Sequence, residues 1–341
     1  MSVTIADVAR KAGVSIKTVS RVTNAEPHVR PALRDTVQRV MRDLGYSPNI
    51  AARRLASNSA FAIGLLFGGA PGEYFHQIVL SILRHGVQQG YTLVVADFTP
   101  FDPTSRSYVL DLVNRKHFDG LILTPPCDND RELLLQLERL RVPLVRLTPA
   151  DSASILPSVC AEDARGAYDM TNHLLELGHR RIGFLQGDPN HRASRERFDG
   201  FRRALRAAHI PLDRSLVKRG DFVFEQGLLA GRELLCARPR PTAVFASNDE
   251  SAAGVISAAH EAGLRVPADL SVAGFDDFPS ARKTFPALTT VRQDMAEISV
   301  RATGLLFDLI NGRAPSSVHI RVPTTLVVRD SAGVAPARRR P

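Results

Sequence analysis

Residues 3–24 read VTIADVARKAGVSIKTVSRVTN, and this stretch decides how the rest of the chain is parsed. Thr4 followed three residues later by Asp7 is a short capping box that starts a helix. Ile5, Val8, Ala9 and Ala12 then recur at helical spacing. Gly13 supplies the positive φ of a tight turn. Ser15 caps a second helix whose Val19 and Val22 point inward, leaving Ile16, Lys17, Ser20 and Arg21 outward. Two short helices joined by a glycine turn, with small Ala9 at their crossing, make a helix-turn-helix. A third helix begins at Pro31, the favoured first helical position. It buries Leu33, Val37, Val40, Met41 and Leu44 and stops at Gly45.

Working outward, the charge distribution supports a polyanion-binding module on a neutral body. The 341 residues carry a net charge of +9, but residues 1–60 hold ten Lys/Arg against four Asp/Glu, and residues 61–330 hold 31 of each. The remaining positive charge is Arg338, Arg339 and Arg340, in a stretch 331–341 that reads as a disordered basic tail. The 44% hydrophobic and 23% charged composition is that of an ordinary globular protein. The three cysteines, Cys127, Cys160 and Cys236, are widely spaced, which argues against a disulfide framework or a structural zinc and for a reducing, cytoplasmic setting. The N-terminus lacks an apolar leader core, and the longest apolar run, 61–70, is about half a membrane span, so no membrane partner is expected.

After the third helix comes SPNIAARRLAS (47–57), short, Ala-rich and basic behind a proline. A helix this short is marginal in water by itself. The run VTIADVARKAGVSIKTVSRVTN, followed by RDTVQRVMRDLGYSPNIAARRLAS, resembles the DNA-binding head of the LacI/GalR family of bacterial transcription regulators, over residues 3–57 without a gap. The resemblance implies that the second helix lies in the major groove of an operator. It also implies that the hinge helices of two subunits enter the minor groove together. On that basis Lys17 and Arg21 reach base edges or phosphates, and Ile16 offers apolar contact to a thymine methyl. Thr4, Ser15, Thr18, Ser20, Asn24 and His28 are short polar groups suited to the phosphate backbone. Asn49 and Ala52 line the hinge face, and Leu55 is the wedge between base pairs. The half-site sequence stays open at Ile16, where many family members carry a polar or aromatic residue. A purely local reading, with Ile16 in a core and Lys17 and Arg21 merely solvated, competes with this one.

The body alternates apolar runs with amphipathic stretches. FAIGLLF (61–67), YTLVVAD (91–97), DGLILT (119–124), LVRL (144–147), RIGFLQ (181–186), TAVFAS (242–247) and LSVAGFD (270–276) read as strands. Helical stretches fall near 73–89, 103–115, 131–140, 162–177, 194–208, 224–236 and 248–262. Such alternation implies parallel sheets covered on both faces. The pattern restarts after an irregular stretch, 148–160, so two doubly wound subdomains are expected, about 61–160 with 292–320 and about 161–291 with 321–330. The head would span 1–47 and the hinge and linker 48–60. The motifs LELGHRRIGFL (175–185), SNDESAAG (247–254) and LSVAGFDD (270–277) are similar to those of the periplasmic-binding-protein-like effector domain of the same family.

In such sheets ligands sit beyond the C-terminal strand ends, here between the subdomains. Those ends offer Gly69, Tyr74 and Phe75 after the first strand, Arg195 and Arg197 after RIGFLQ, and Phe222, Asn248 and Asp276 further on, with Gln293 on a crossover. A carboxylate, an arginine and an aromatic ring suit vicinal hydroxyls and the flat face of a sugar. The resemblance implies that Arg197 and Asp276 hold hydroxyls, Asn248 adds a hydrogen bond, and Phe222 stacks with Tyr74 or Phe75 opposite. Asp249 and Asp277 each stand before a helical stretch and can act as N-caps; together with Arg195 they can also brace the cleft or a subunit interface. No P-loop, G-x-S-x-G or metal-ligand spacing is present in the sequence, so no enzyme chemistry and no cofactor are expected. The expected partners are a pseudo-palindromic operator, a second copy of the chain and a small sugar or glycoside that releases DNA. A purine or other corepressor is the alternative, and a binding-protein-fold enzyme with a basic N-terminus is the third reading. The C-terminus has no leucine heptad, which points to a dimer and not a tetramer.

Overall fold

The computed structural model describes residues 3–23, 29–46, 59–69, 72–149 and 155–336. The chain divides into two compact units, Met1–Phe61 and Ala62–Pro341.

Among the described residues the first unit holds three helices. Helix α1 (Ile5–Ala12) starts at Thr4, whose side chain accepts from the Asp7 N–H while the Asp7 carboxylate accepts from the Thr4 N–H at 3.0 Å. It ends at Gly13, with φ +67°, where a side chain would be strained. In α2 (Ile16–Thr23) the first turn is closed by Ser15 Oγ, which accepts from the Thr18 N–H at 3.1 Å. Helix α3 (Pro31–Leu44) has proline at its first position and ends at Gly45, φ +62°. Val8, Ala9, Val19, Val22, Val37 and Val40 form one small core between the three helices.

The body contains β1 (Ala62–Phe67), α4 (Glu73–Gln88), β2 (Thr92–Asp97), α5 (Pro103–Asn114), β3 (Gly120–Leu123), α6 (Arg131–Arg139), β4 (Leu144–Leu147) and β5 (Ser158–Ala161). Then follow α7 (Asp163–Glu176), β6 (Ile182–Gln186), α8 (Arg192–Ala207), β7 (Val217–Arg219), α9 (Phe224–Cys236), β8 (Ala243–Ala246), α10 (Asp249–Glu261) and β9 (Ser271–Ala273). The last elements are β10 (Thr290–Gln293), α11 (Met295–Ile310), β11 (His319–Val322) and β12 (Thr324–Val327).

Two parallel sheets result, ordered β11-β5-β4-β3-β1-β2 and β7-β6-β8-β9. Strands β10 and β12 pair antiparallel, and isolated bridges from Ala273 to Thr289 and from Asp276 to Arg292 set them beside β9. Central strands such as β3, β4 and β8 are buried at every residue, as both-faces-covered parallel strands are.

Strands β5, β10, β11 and β12 and helix α11 depart from the sequence reading. Strand β5 begins inside the stretch expected to be irregular and ends one residue beyond it, and its four residues carry too little pattern to separate strand from loop. Helix α11 was not expected as a helix, yet Met295, Ile298, Ala302, Leu305 and Leu306 recur at helical spacing and complete the core over Ile63, Leu65 and Val145. The chain crosses between the two halves three times, at 161–163, 293–295 and 322–324. The first sheet runs through Ala161 and Val322, and β10 stays with the second half through Gln293, so the expected boundaries move by one or two residues.

The expected disordered tail also starts too early. Ser331 is fully buried, its Oγ donates to the Val272 carbonyl at 2.6 Å, and the Ala335 N–H donates to the Leu177 carbonyl. His179 completes this clasp, bonding Thr242 through Nδ1 at 2.9 Å and facing Ser271 and the Gly333 carbonyl through Nε2. A backbone segment with its polar groups so paired belongs to the body. Arg338–Arg340 lie outside the described residues.

Candidate nucleic-acid face and ligand cleft

On α2 the inward face is Val19 and Val22, and the outward face presents Ile16, Lys17 and Arg21 to solvent. Ile16 is 52% exposed, which removes the reading of Ile16 as core. Ser20 lies half-buried on the same helix. The hydroxyls of Ser15 and Thr18 face one another at 2.9 Å, and Thr4 Oγ1 donates to Asp7 at 2.6 Å. These three therefore hold helix starts in place. Asn24, His28, Asn49, Ala52 and Leu55 lie outside the described residues.

In the body, the C-terminal strand ends bring together a charged cluster. Arg197, on α8, is 3% exposed. Its Nε donates to Asp163 Oδ1 at 2.7 Å, and its Nη1 donates to Asp276 Oδ1 at 3.2 Å and to the Ser247 carbonyl. The guanidinium carbon stands 3.7 Å from the centroid of Phe275 and 5.8 Å from that of Phe222. Gln293 Nε2 donates to the same Asp276 oxygen at 2.6 Å. Asp163 stands just after the first crossover and Gln293 just before the second. Arg197 and Asp276 therefore tie two of the three inter-half connections to one another.

Burial pushes the Asp276 carboxyl up to about 7, with Arg197 opposing and Asp163 adding to the rise. Burial also raises Asp163, against the pull of Arg197, and raises Asp249 well above its ordinary value, with Asp276 contributing. Arg197 stays above its ordinary value because Asp163 and Asp276 outweigh the burial that opposes them.

Phe222 is carried by a tight turn in which Asp221 and Phe222 both have positive φ, 46° and 66°. Its ring lies against Gly187, where an added Cβ would come within 2.1 Å. Glycine is required there for the ring to reach the cleft. Asn248 spends both ends of its amide inside the protein. Oδ1 accepts from the Ser251 N–H at 3.0 Å, and Nδ2 donates to the Phe222 carbonyl at 2.9 Å. It caps α10 and holds the Phe222 turn.

From the other half, Tyr74 is half-buried, its hydroxyl 3.3 Å from Thr148 Oγ1 and its phenol pushed up to about 12 by desolvation. Asp128, Asp276 and Asp163 add to that rise electrostatically. Phe75 packs on Phe67 with ring centroids 4.1 Å apart, which braces the end of β1. Gly69 is exposed there with φ +105°. Asp276 and Gln293 also line a cavity of about 540 Å³, shared with Gln77, Phe278, Arg292 and Met295.

The acids left open by the sequence now have places. Asp249 accepts from Thr290 Oγ1 at 2.5 Å and from the Phe278 N–H at 3.0 Å, so it braces two loops while Asn248 does the capping. Asp277 caps no helix and instead pairs with Arg292, at 2.7 Å, and with Arg329. Arg195 donates to the Pro189 carbonyl at 2.7 Å. Sequence reasoning missed Asp163 as the partner of Arg197; an acid straight after an apolar run was the available signal. It also missed the buried pair of Arg146 with Asp128, at 3.2 Å, although one cation inside LVRL was visible. Among the described residues no group of three or more His, Cys, Asp and Glu side chains is arranged to hold a metal, and no helix is long and apolar enough to cross a membrane.

Residues 4–49 match the bacterial regulatory proteins of the lacI family, and residues 171–332 match the periplasmic binding protein-like domain. The HTH-type transcriptional repressor PurR of Klebsiella pneumoniae (strain 342) is 35% identical over 334 residues, which is 98% of each chain. The chain belongs to the LacI family. This LacI-family protein is a DNA-binding transcriptional regulator with a helix-turn-helix head and a periplasmic-binding-protein-like body. Its fold is similar to that of a lac repressor dimer bound to operator and the anti-inducer ONPF, with a TM-score of 0.76, 30% identity and coverage of 98% of this chain and all of the other. It is likewise similar to the regulator CelR in complex with cellobiose, with a TM-score of 0.74, 31% identity and coverage of 96% and 99%.

Proposed function

We propose that this LacI-family protein is a homodimeric repressor that releases a pseudo-palindromic operator when a sugar or glycoside fills the cleft around Arg197. The observation that carries this reading is the cluster itself. A guanidinium, two carboxylates and the Phe222 ring converge at the junction of the two halves. That set can meet paired hydroxyls on its polar side and a sugar ring face on its aromatic side. CelR, whose solved complex holds cellobiose, supports the same ligand chemistry.

The head reads DNA through Lys17, Arg21 and Ile16, with Leu55 of the hinge as the minor-groove wedge. Two heads are needed because one makes few contacts and two-fold symmetry doubles them. Ligand acts through the crossovers. A molecule that accepts from Arg197 or donates to Asp276 changes what Asp163 and Gln293 hold, and so biases how the two halves close. Linkage then requires that operator weaken ligand binding by the same factor as ligand weakens operator binding; tenfold corresponds to about 1.4 kcal/mol.

A second reading, a purine corepressor, is favoured by the PurR relatives, which match 98% of this chain. The two separate in one experiment. Thermal unfolding is followed with monosaccharides, disaccharides and purine bases, then operator is titrated with and without each stabilising compound. At 100 times its Kd a ligand stabilises the body by about 2.7 kcal/mol. A sugar that stabilises and releases operator supports the leading reading; a purine that stabilises and tightens operator binding replaces it.

A further inference from the structure

We propose that the edge of the second sheet opposite the cleft is a sequence-independent contact surface for the phosphate backbone of duplex DNA, separate from the head. Strands β7, β6, β8 and β9 are parallel, so the segments that enter them, 177–181, 208–216, 237–242 and 262–270, lie along one edge of the sheet. These segments hold six arginines against two acids, Asp213 and Asp269. The segments that leave the same strands toward the cleft, 187–191, 220–223, 247–248 and 274–278, hold four aspartates and no Lys or Arg. The second half thus carries opposite charge at its two ends, although residues 61–330 as a whole are neutral.

The two acids answer two of the six cations. Asp213 pairs with Arg181, and Asp269 pairs with Arg265 at 2.9 Å. Arg180, Arg214, Arg238 and Arg240 are exposed and make no ion pair among the described residues. Helix dipoles account for part of this charge. Arg180 donates to the Leu175 carbonyl at 2.9 Å, at the end of α7, and Arg238 donates to the Leu235 carbonyl at the end of α9. Those acceptors are neutral and leave the charge uncancelled. Arg214 and Arg240 make no such bond among the described residues. A second observation adds to the same edge. The Gly333 carbonyl meets His179, and the Ala335 N–H donates to the Leu177 carbonyl, both in the segment that enters β6. Three more arginines, Arg338, Arg339 and Arg340, follow within four residues of Pro336, a reach of about 14 Å.

The chemistry of this edge selects duplex DNA among polyanions. Neither these segments nor 331–336 hold a Phe, Tyr or Trp, so no ring is offered on which unpaired bases could stack. Val334 is the one large apolar side chain exposed on them among the described residues, whereas a protein interface is centred on apolar and aromatic anchors. Guanidinium forks suit phosphate oxygens, which they bind two at a time. Four strands about 4.8 Å apart span about 14 Å, over which a duplex carries on the order of eight phosphate charges.

The test follows a fluorescent duplex of random sequence by anisotropy, from about 50 to about 200 mM salt. The full-length protein carries Lys17→Ala and Arg21→Ala, which lowers the share of the head. In that background Arg214→Gln, Arg240→Gln, Arg338→Gln, Arg339→Gln and Arg340→Gln together should weaken binding at least about tenfold at low salt. They should also flatten the slope of log affinity against log salt by at least about two. Thermal unfolding should not change, because these side chains are solvated. Affinity and slope that both stay within about twofold overturn the inference. Arg115→Gln with Arg301→Gln, which lowers charge on the first half, should leave both readings unchanged; an equal loss there makes net charge the cause and removes the surface. A polyglutamate peptide that binds as tightly as the duplex, through the same five arginines, gives the edge to an acidic protein and likewise overturns the assignment. Should the combined variant fail to fold, Arg338→Gln, Arg339→Gln and Arg340→Gln alone carry the test, with a slope change of at least about one expected.

Discussion

Lys17 and Arg21 stand exposed on a helix whose other face is a small valine core, whereas Arg197 is 3% exposed with carboxylates on two sides. The same residue class does opposite work in the two places. An exposed cation is hydrated and screened by salt, so its neighbours contribute little to stability. A buried cation is held by partners that themselves cannot stand alone. Charge on α2 is thus a surface property, while charge at Arg197 is part of the architecture that joins the two halves of the body.

The largest way to break this contrast is Arg197→Ala. Removing the cation leaves buried carboxylates uncompensated, and the body should lose about 3–5 kcal/mol in denaturant unfolding. A loss below about 1 kcal/mol would mean the cluster is better solvated than its burial implies. The same cluster predicts a pH dependence. Asp276 titrates near 7 in the folded body, against about 3.9 unfolded, so the folded state holds the extra proton between these values. Stability should therefore fall as pH rises from about 4 to about 7, by on the order of a few kcal/mol. Asp276→Asn should flatten that slope, and a stability rising steadily through this window would contradict the assignment.

On the head, the double change Lys17→Ala with Arg21→Ala should weaken operator binding by about 2 kcal/mol or more and relax base discrimination, without changing body stability. Binding measured from about 50 to about 200 mM salt sharpens the comparison, since operator affinity should drop steeply and cleft ligand affinity should barely move. Leu55→Ala should cost operator binding about 1 kcal/mol and leave ligand affinity intact, because a lost wedge affects only the DNA. The smallest expected effect is Thr4→Ala, which removes the α1 cap and should destabilise the head by about 1 kcal/mol.

The two regions also differ in how far they could be read from sequence. In the head every deciding interaction is local. Thr4 meets Asp7 and Ser15 meets Thr18 within one turn, and Gly13 and Gly45 end helices by their own φ. Spacing alone therefore gives the helices, their inward valines and the outward Ile16, Lys17 and Arg21. The same held for most strands of the body, whose apolar runs are long enough to recognise. It failed at β5, β10, β11 and β12, each four residues long, and at α11, whose apolar spacing follows the crossover that carries Gln293.

The cleft lies at the other limit. Arg197, Asp276, Phe222 and Tyr74 were visible as candidate side chains at strand ends. Their pairing was not, because Arg197 reaches Asp163 across 34 residues and Asp276 across 79. Asn248 could be placed before a helix, but only the folded chain turns its amide onto the Phe222 turn. Sequence by itself determined the helix-turn-helix, its exposed basic face and the alternation that makes two parallel sheets. Tertiary structure decided which acids surround the buried arginine and which connections they brace, because a buried charge takes its partners from whatever the fold brings within hydrogen-bond reach, however distant along the chain.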